Sequence, residues 1–167
     1  GRSLRITVKS LGDFTSRIAA IPVGTRVIAE GPFGSFTAAV RRNRRVAMIA
    51  GGVGITPIRA LLEELPAAPG ELALIYRVVR EEDALFLSEL RAIAEQRRVS
   101  IHLLVGDHRE PQGRRLLSPE NLRRLIPDLA RRDVYLCGPD GMAAATAASL
   151  RRVGVPRKQI HVERFAF

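Results

Sequence analysis

The stretch Arg45-Val-Ala-Met-Ile-Ala-Gly-Gly-Val-Gly-Ile-Thr-Pro57 decides how this chain is read. Residues 46–50 are all apolar, the texture of a strand buried on both faces. Gly51, Gly52 and Gly54 then form a turn, and Pro57 opens a helix, where its missing N–H removes no hydrogen bond. Backbone without Cβ can approach a pyrophosphate closely. A helix N-terminus adds unpaired N–H donors and the positive end of the helix dipole. The segment is therefore suited to hold a dinucleotide phosphate, with the Thr56 hydroxyl at the same place. The usual glycine spacing of i, i+2 and i+5 is met by Gly52 and Gly54 and broken by Pro57. The bland alternative is a tight strand–helix turn without a ligand, with Thr56 serving only the helix start.

The chain has 167 residues, enough for one or at most two domains, and 46% are hydrophobic, enough for a substantial core. No apolar run approaches the ~20 residues of a membrane span. No N-terminal charged-then-apolar segment resembles a secretory signal. A single cysteine, Cys137, excludes an internal disulfide and suits a reducing compartment. His102, His108 and His161 are scattered without metal-ligand spacing, so no metal site is expected.

The net charge of +10 rests on 25 arginines and two lysines. Such a charge invites a nucleic-acid reading. The arginines, however, come as pairs along the whole chain, and aromatics are only 5% and do not interleave with a basic stripe. Most pairs read as solvated faces. The run Arg41–Arg45 is the best candidate for docking on anionic lipid.

Residues 4–9 and 25–30 alternate apolar and polar, the pattern of half-exposed strands. Residues 13–20 suit a short helix, and 35–45 a last short strand with a basic connector. From residue 46 the texture changes to strands at 46–50, 72–77, 99–105, 133–137 and 159–163. They are separated by helices at 57–65, 83–97, 118–125 and 139–153. Near-continuous apolar strands alternating with helices predict a doubly wound α/β fold, a five-stranded parallel sheet covered on both faces. Ser118 caps one helix with Pro119 behind it, and Gly154 and Pro156 end another. The first 40 residues hold about three short strands, too few for an independent domain. The chain also enters a strand directly after Gly1. It is expected to be the C-terminal piece of a longer protein.

Five blocks in order carry a resemblance: Leu11-Gly-Asp-Phe-Thr15, Gly31-Pro-Phe-Gly34, Gly51-Gly-Val-Gly-Ile-Thr-Pro57, Tyr135-Leu-Cys-Gly-Pro139 and His161-Val-Glu-Arg-Phe165. Together they resemble the ferredoxin–NADP reductase superfamily, most of all the flavin dehydrogenase part of ferric reductases and NADPH oxidases. The resemblance implies that residues 1–40 are the end of an antiparallel FAD-binding barrel and 46–167 an NAD(P)-binding domain. An earlier family motif, Arg-x-Tyr/Phe-Ser/Thr, is not in this sequence. FAD binding is therefore expected of the parent protein.

By the same resemblance, Gly51, Gly52, Gly54, Thr56 and Pro57 hold the nucleotide. Cys137, with Gly138 and Pro139, lies beside the nicotinamide, Glu163 assists proton or charge handling, and Phe165 stacks on the flavin. The alternatives are an ordinary buried cysteine, a surface ion pair between Glu163 and an arginine, and core-plugging phenylalanines, with Phe167 a rival to Phe165. Gly12, Thr15 and Ser16 are expected at the FAD pyrophosphate, unless this short helix is capped by Asp13 and Thr15 is structural. The family's loop discriminating NADPH from NADH matches Gly106-Asp-His-Arg-Glu-Pro-Gln-Gly-Arg-Arg115. A 2′-phosphate wants arginine and a bare ribose diol often meets a carboxylate. Gly106-Asp107 departs from the NADPH pattern, but Arg109, Arg114 and Arg115, with Arg77 and Arg80 on the preceding strand, lean toward NADPH over NADH.

The expected reaction is hydride transfer from NAD(P)H to FAD, with electrons passing to haem, a ferric chelate or ferredoxin. The domain would sit on the cytoplasmic side, tethered to a membrane domain. The rivals are a soluble ferredoxin or oxygenase reductase component, a regulatory domain binding nucleotide without turnover, and a basic nucleic-acid-binding domain.

Overall fold

The computed structural model describes residues 4–10, 12–31 and 33–165. The chain divides into two units, with the boundary between Gly34 and Ser35. In the first unit the helix α1 spans Asp13–Arg17 and a 3₁₀ turn follows at Ile18–Ala20. The strands expected at 4–9 and 25–30 are not formed among the described residues, and neither is the one within 35–45, where Ala38–Val40 is a 3₁₀ turn. A strand exists only with a hydrogen-bonded neighbour, and alternation in sequence does not supply one. Leu4, Ile6 and Val8, the apolar half of that alternation, are exposed. No strand precedes Val46 among the described residues.

The second unit carries the predicted α/β architecture. In chain order it runs β1 (Val46–Gly51), α2 (Ile55–Glu64), β2 (Leu72–Val78), α3 (Leu87–Arg97), β3 (Ser100–Val105), α4 (Pro111–Arg115), α5 (Pro119–Leu125), β4 (Asp133–Pro139), α6 (Asp140–Arg152) and β5 (Ile160–Phe165). All pairings are parallel, in the order β3-β2-β1-β4-β5. Every residue of β1 is buried, as a central strand covered on both faces requires. Side chains alternate between two cores. Met48, Ala50, Tyr76, Tyr135 and Cys137 pack under α2 and α3, and Ala47, Ile49, Ile75 and Leu136 under α5 and α6.

Local chemistry explains the boundaries. Asn121 N–H donates to Ser118 Oγ at 3.3 Å and Pro119 occupies the first turn, so α5 starts where its cap was read. After α6, Gly154 N–H donates to Arg151 O and Val155 N–H to Leu150 O, both at 3.0 Å, closing the helix. Two helix starts differ from expectation. The helix after the glycine turn begins at Ile55, with Pro57 inside its first turn. The segment from 83 splits into a 3₁₀ turn at Glu81–Asp83 and α3, because Phe86 takes a left-handed φ of 58°.

The arginine excess has a structural use. Guanidinium groups of Arg41, Arg77, Arg97, Arg114, Arg123 and Arg132 donate to main-chain carbonyls. Arg97 closes the C-terminal end of α2 through Leu62 O and Leu65 O. The run proposed for lipid docking is largely spent in this way. Arg41 bonds Asn43 O and Pro66 O, Arg44 pairs with Glu71, and Arg45 pairs with Asp128 at 2.8 Å.

Candidate nucleotide site at the strand ends

In an open parallel sheet, ligands collect beyond the carboxyl ends of the strands, where the strand order reverses. Here that point lies between β1 and β4. Ala50 is in register with Cys137 on one side and Tyr76 on the other, and Gly51 with Arg77. One strand further, Cys137 pairs with Glu163, Gly138 with Arg164 and Pro139 with Phe165. The fold thus brings the glycine turn, the Cys137–Pro139 block, Glu163 and Phe165 to one edge.

Two glycines in the turn do different work. Gly52 has a φ of +53°, and an added Cβ would meet nothing within 4 Å, so this position faces open space in a conformation that L residues seldom take. Gly54 is a packing requirement. A Cβ there would lie 2.7 Å from the Cys137 carbonyl carbon and 3.1 Å from Gly138 N. Gly54 lets the first turn of α2 rest directly on the end of β4. Gly51 and Gly138 lie under the flexible Met142 side chain. Thr56 and Pro57 stand in the first turn of α2, which continues directly from the 3₁₀ turn Gly52–Gly54, the Ile55 N–H being bonded to Gly52 O and Val53 O.

Cys137 is buried, and its thiol is pushed up to about 12, first by burial and then by the Glu163 carboxylate. Both effects favour the neutral thiol over the thiolate. Glu163 is exposed, whereas Phe165 is half-buried against the core under α2 and α3. Tyr76, fully buried, donates its O–H to Gly52 O at 3.2 Å and accepts the Leu85 N–H at 3.0 Å. Sequence reasoning passed over Tyr76. The signal was a single tyrosine in the apolar run 72–76, where a buried hydroxyl demands a partner.

The predicted cations disperse. Arg77 donates to Gly106 O at 3.1 Å, and burial lowers its pKa while Asp107 pulls the other way. Arg80 is held by Glu82 and Asp83, both at 3.1 Å. Arg114 turns onto its own loop, to His108 O and Arg109 O. Arg115 lines an open groove of about 390 Å³ with Leu104, Gln112, Ser118 and Arg124. Arg109 is exposed, and its main-chain N–H donates to the Asp107 carboxylate at 2.9 Å, which holds that carboxyl below its usual range. The same loop contains α4, seen only in the structure. A Cβ on Gly113 would run into the Asp107 main chain, which fixes how the loop folds.

The FAD candidates lie in the first unit. Gly12 N–H donates to Thr15 Oγ1 at 3.1 Å, and the Thr15 and Ser16 hydroxyls donate back to Gly12 O at 3.1 and 2.5 Å. These bonds close the start of α1, as in the structural alternative for Thr15. Leu11, Pro32 and Phe167 lie outside the described residues. No group of histidine, cysteine or carboxylate side chains among the described residues is placed to hold a metal ion.

Residues 48–148 match the family model described as the oxidoreductase NAD-binding domain. The chain belongs to that family. It is 33% identical over 147 residues to the NADH-cytochrome b5 reductase-like protein alnC of Emericella nidulans, covering 85% of this chain and 32% of that protein. It is 32% identical over 160 residues to NADH-cytochrome b5 reductase 1 of Mycosarcoma maydis, covering 89% and 49%. The cytochrome b5 reductase domain of Ulva prolifera nitrate reductase shares the fold, with a TM-score of 0.68 at 24% identity, over 91% of this chain and 64% of that one. The chain spans between about a third and three fifths of the length of such curated relatives. The ferredoxin–NADP reductase superfamily read from the five blocks is therefore the right one, and these relatives are cytochrome b5 reductase-like.

Proposed function

We propose that this chain is the nicotinamide-dinucleotide-binding part of a flavin-dependent NAD(P)H reductase of the cytochrome b5 reductase kind. The observation that carries the reading is the strand-end edge itself. The open left-handed turn at Gly52 and the start of α2 lie next to the Cys137 block, at the reversal of strand order. Main-chain N–H groups of the glycine turn and the start of α2, apart from that of Ile55, which bonds within the turn, receive the diphosphate, and the helix dipole favours its charge. Cys137, being neutral, offers a small polarizable surface to the nicotinamide and does not attack it. Phe165 covers the ring-binding end of the crevice and keeps water from it, and Glu163 is the carboxylate at its rim. The chemistry such a cofactor supplies when bound is a hydride, delivered in the longer protein to FAD. Because the Arg-x-Tyr/Phe-Ser/Thr motif is not in this sequence, the flavin is assigned to the longer protein and not to this chain alone.

For the coenzyme, our reading favours NADH over the NADPH toward which the arginine count leans. Arg80 and Arg114 are engaged within the protein, and the Asp107 carboxylate stands at the loop after β3, suited to a ribose diol and repelling a 2′-phosphate. The onward acceptor in this reading is a haem protein, with ferredoxin or a ferric chelate as variants. A tether to haem-bearing membrane helices, as in ferric reductases, is the narrower form of the proposal. No helix among the described residues is long and apolar enough to cross a membrane. A cytoplasmic, reducing location fits the single cysteine.

The test is a titration with NADH and NADPH followed by amide resonances. Shifts at Gly52–Thr56 and Cys137, at lower concentration of NADH than of NADPH, are expected. Resonances that stay in place at saturating concentrations of both coenzymes would end the proposal. Asp107→Ser should narrow the difference between the two.

A further inference from the structure

We infer that Tyr76 is a positioning residue for the glycine turn, one that makes the turn anion-binding by turning a carbonyl inward. A turn that receives a diphosphate must present N–H groups and hide C=O groups, since a carbonyl oxygen aimed at the ligand repels it. In this chain the carbonyl at issue is that of Gly52, the residue with φ of +53° facing open space. Its oxygen closes the 3₁₀ turn by accepting the Ile55 N–H, and from the strand side it takes the Tyr76 O–H at 3.2 Å. Tyr76 is in register with Ala50, so β1 and β2 set the hydroxyl under the turn. Leu85 N–H donates to the same oxygen of Tyr76 at 3.0 Å, which leaves the hydroxyl hydrogen to point at Gly52. Burial raises the Tyr76 pKa, with the Leu85 N–H opposing and Asp83 adding to the rise, so the group remains a donor throughout the physiological range. The segment after β2 is thereby coupled to the nucleotide turn through one hydroxyl.

The inference rests on the dinucleotide reading of this turn, so the test separates the two. The probes are NADH and ADP-ribose, which carry the diphosphate, applied to the whole chain and to Tyr76→Phe. Loss of one buried hydrogen bond that orients the turn is expected to weaken both about five- to tenfold. A merely structural hydroxyl would lower the melting temperature and leave these affinities alone. Tyr76→Phe binding as tightly as wild type would overturn the inference by itself. Wild-type chain that binds neither probe would overturn the dinucleotide reading and this inference with it.

A second measurement does not depend on the variant folding. The chain has two tyrosines, so 3-fluorotyrosine labelling gives two ¹⁹F resonances, assigned with Tyr135→Phe. ADP-ribose should move the Tyr76 resonance and spare Tyr135, whose hydroxyl bonds Thr37 O at 3.0 Å. A stationary Tyr76 signal while the turn amides shift would sink the inference.

Discussion

Gly54 rests against the main-chain carbonyl of Cys137, with the position of a Cβ 2.7 Å from the carbonyl carbon. This contact joins the start of α2 to the end of β4, the two elements on either side of the proposed crevice. Backbone cannot yield as a side-chain tip can. Gly54→Ala should therefore cost about 2 kcal/mol, read as a fall in melting temperature of about 4–8 °C. Gly51→Ala meets the Met142 thioether, which can swing aside, and should cost below about 1 kcal/mol. Thermal unfolding of the two variants checks the order, and the reverse order would show that the turn does not rest on β4.

The thiol of Cys137, held at about 12 by burial and then by Glu163, should resist alkylation. Iodoacetamide at pH 8.5 should leave the native chain unmodified and label it fully in denaturant, as mass spectrometry would show. Labelling of the native chain at the rate of a free thiol would mean that the site is open and the thiolate accessible.

Asp133 is fully buried at the start of β4, where it accepts N–H donors from Arg42 and Asn43 and the ring Nε2–H of His161 at 2.8 Å. It ties residues 42–43 to β5. Asp133→Ala leaves three donors unsatisfied and should destabilise by about 3 kcal/mol. Asp133→Asn, which keeps an acceptor oxygen, should cost less. Urea unfolding midpoints decide. Equal losses for both variants would mean that the carboxylate is not the acceptor that matters.

Asp128 gives a pH dependence. Burial alone would raise its pKa, but hydrogen bonds from Arg132 at 2.7 Å and Arg45 at 2.8 Å outweigh that, and the pKa is lowered from 3.8. A depressed folded pKa means that the unfolded chain takes the proton first. The stabilisation is complete above 3.8 and is lost as pH falls below it. Asp128→Asn should lower stability by about 1 kcal/mol at pH 7, and the wild-type advantage should shrink as pH drops from 4 to 2. An advantage constant over that range would remove the ion pair from the explanation.

Much of the second unit was legible because its signals are local. The strand 46–50, the glycine turn and the Ser118-Pro119 cap each declare themselves within a few residues, and the structure has all three. The edge shared by Gly52, Cys137 and Phe165 was legible through the ordered family blocks. The strands expected in residues 4–34 were not reliable, because alternation states what a strand would look like and not whether it has a partner. The cations were not legible either. Arg80 follows β2 and Arg114 lies in the loop after β3, yet their guanidinium groups end on Asp83 and on the His108 carbonyl.

The sequence by itself determined the alternation of buried strands and helices and the glycine turn between the first strand and helix of the second unit, since hydrophobic period and glycine chemistry act over a few residues. Only the tertiary structure decided which groups meet: Gly54 on the Cys137 carbonyl, the Tyr76 hydroxyl under Gly52, and the Arg77 and Arg114 guanidinium groups on main-chain carbonyls. The reason is that parallel strand register and side-chain direction couple residues tens of positions apart, and no local pattern encodes that pairing.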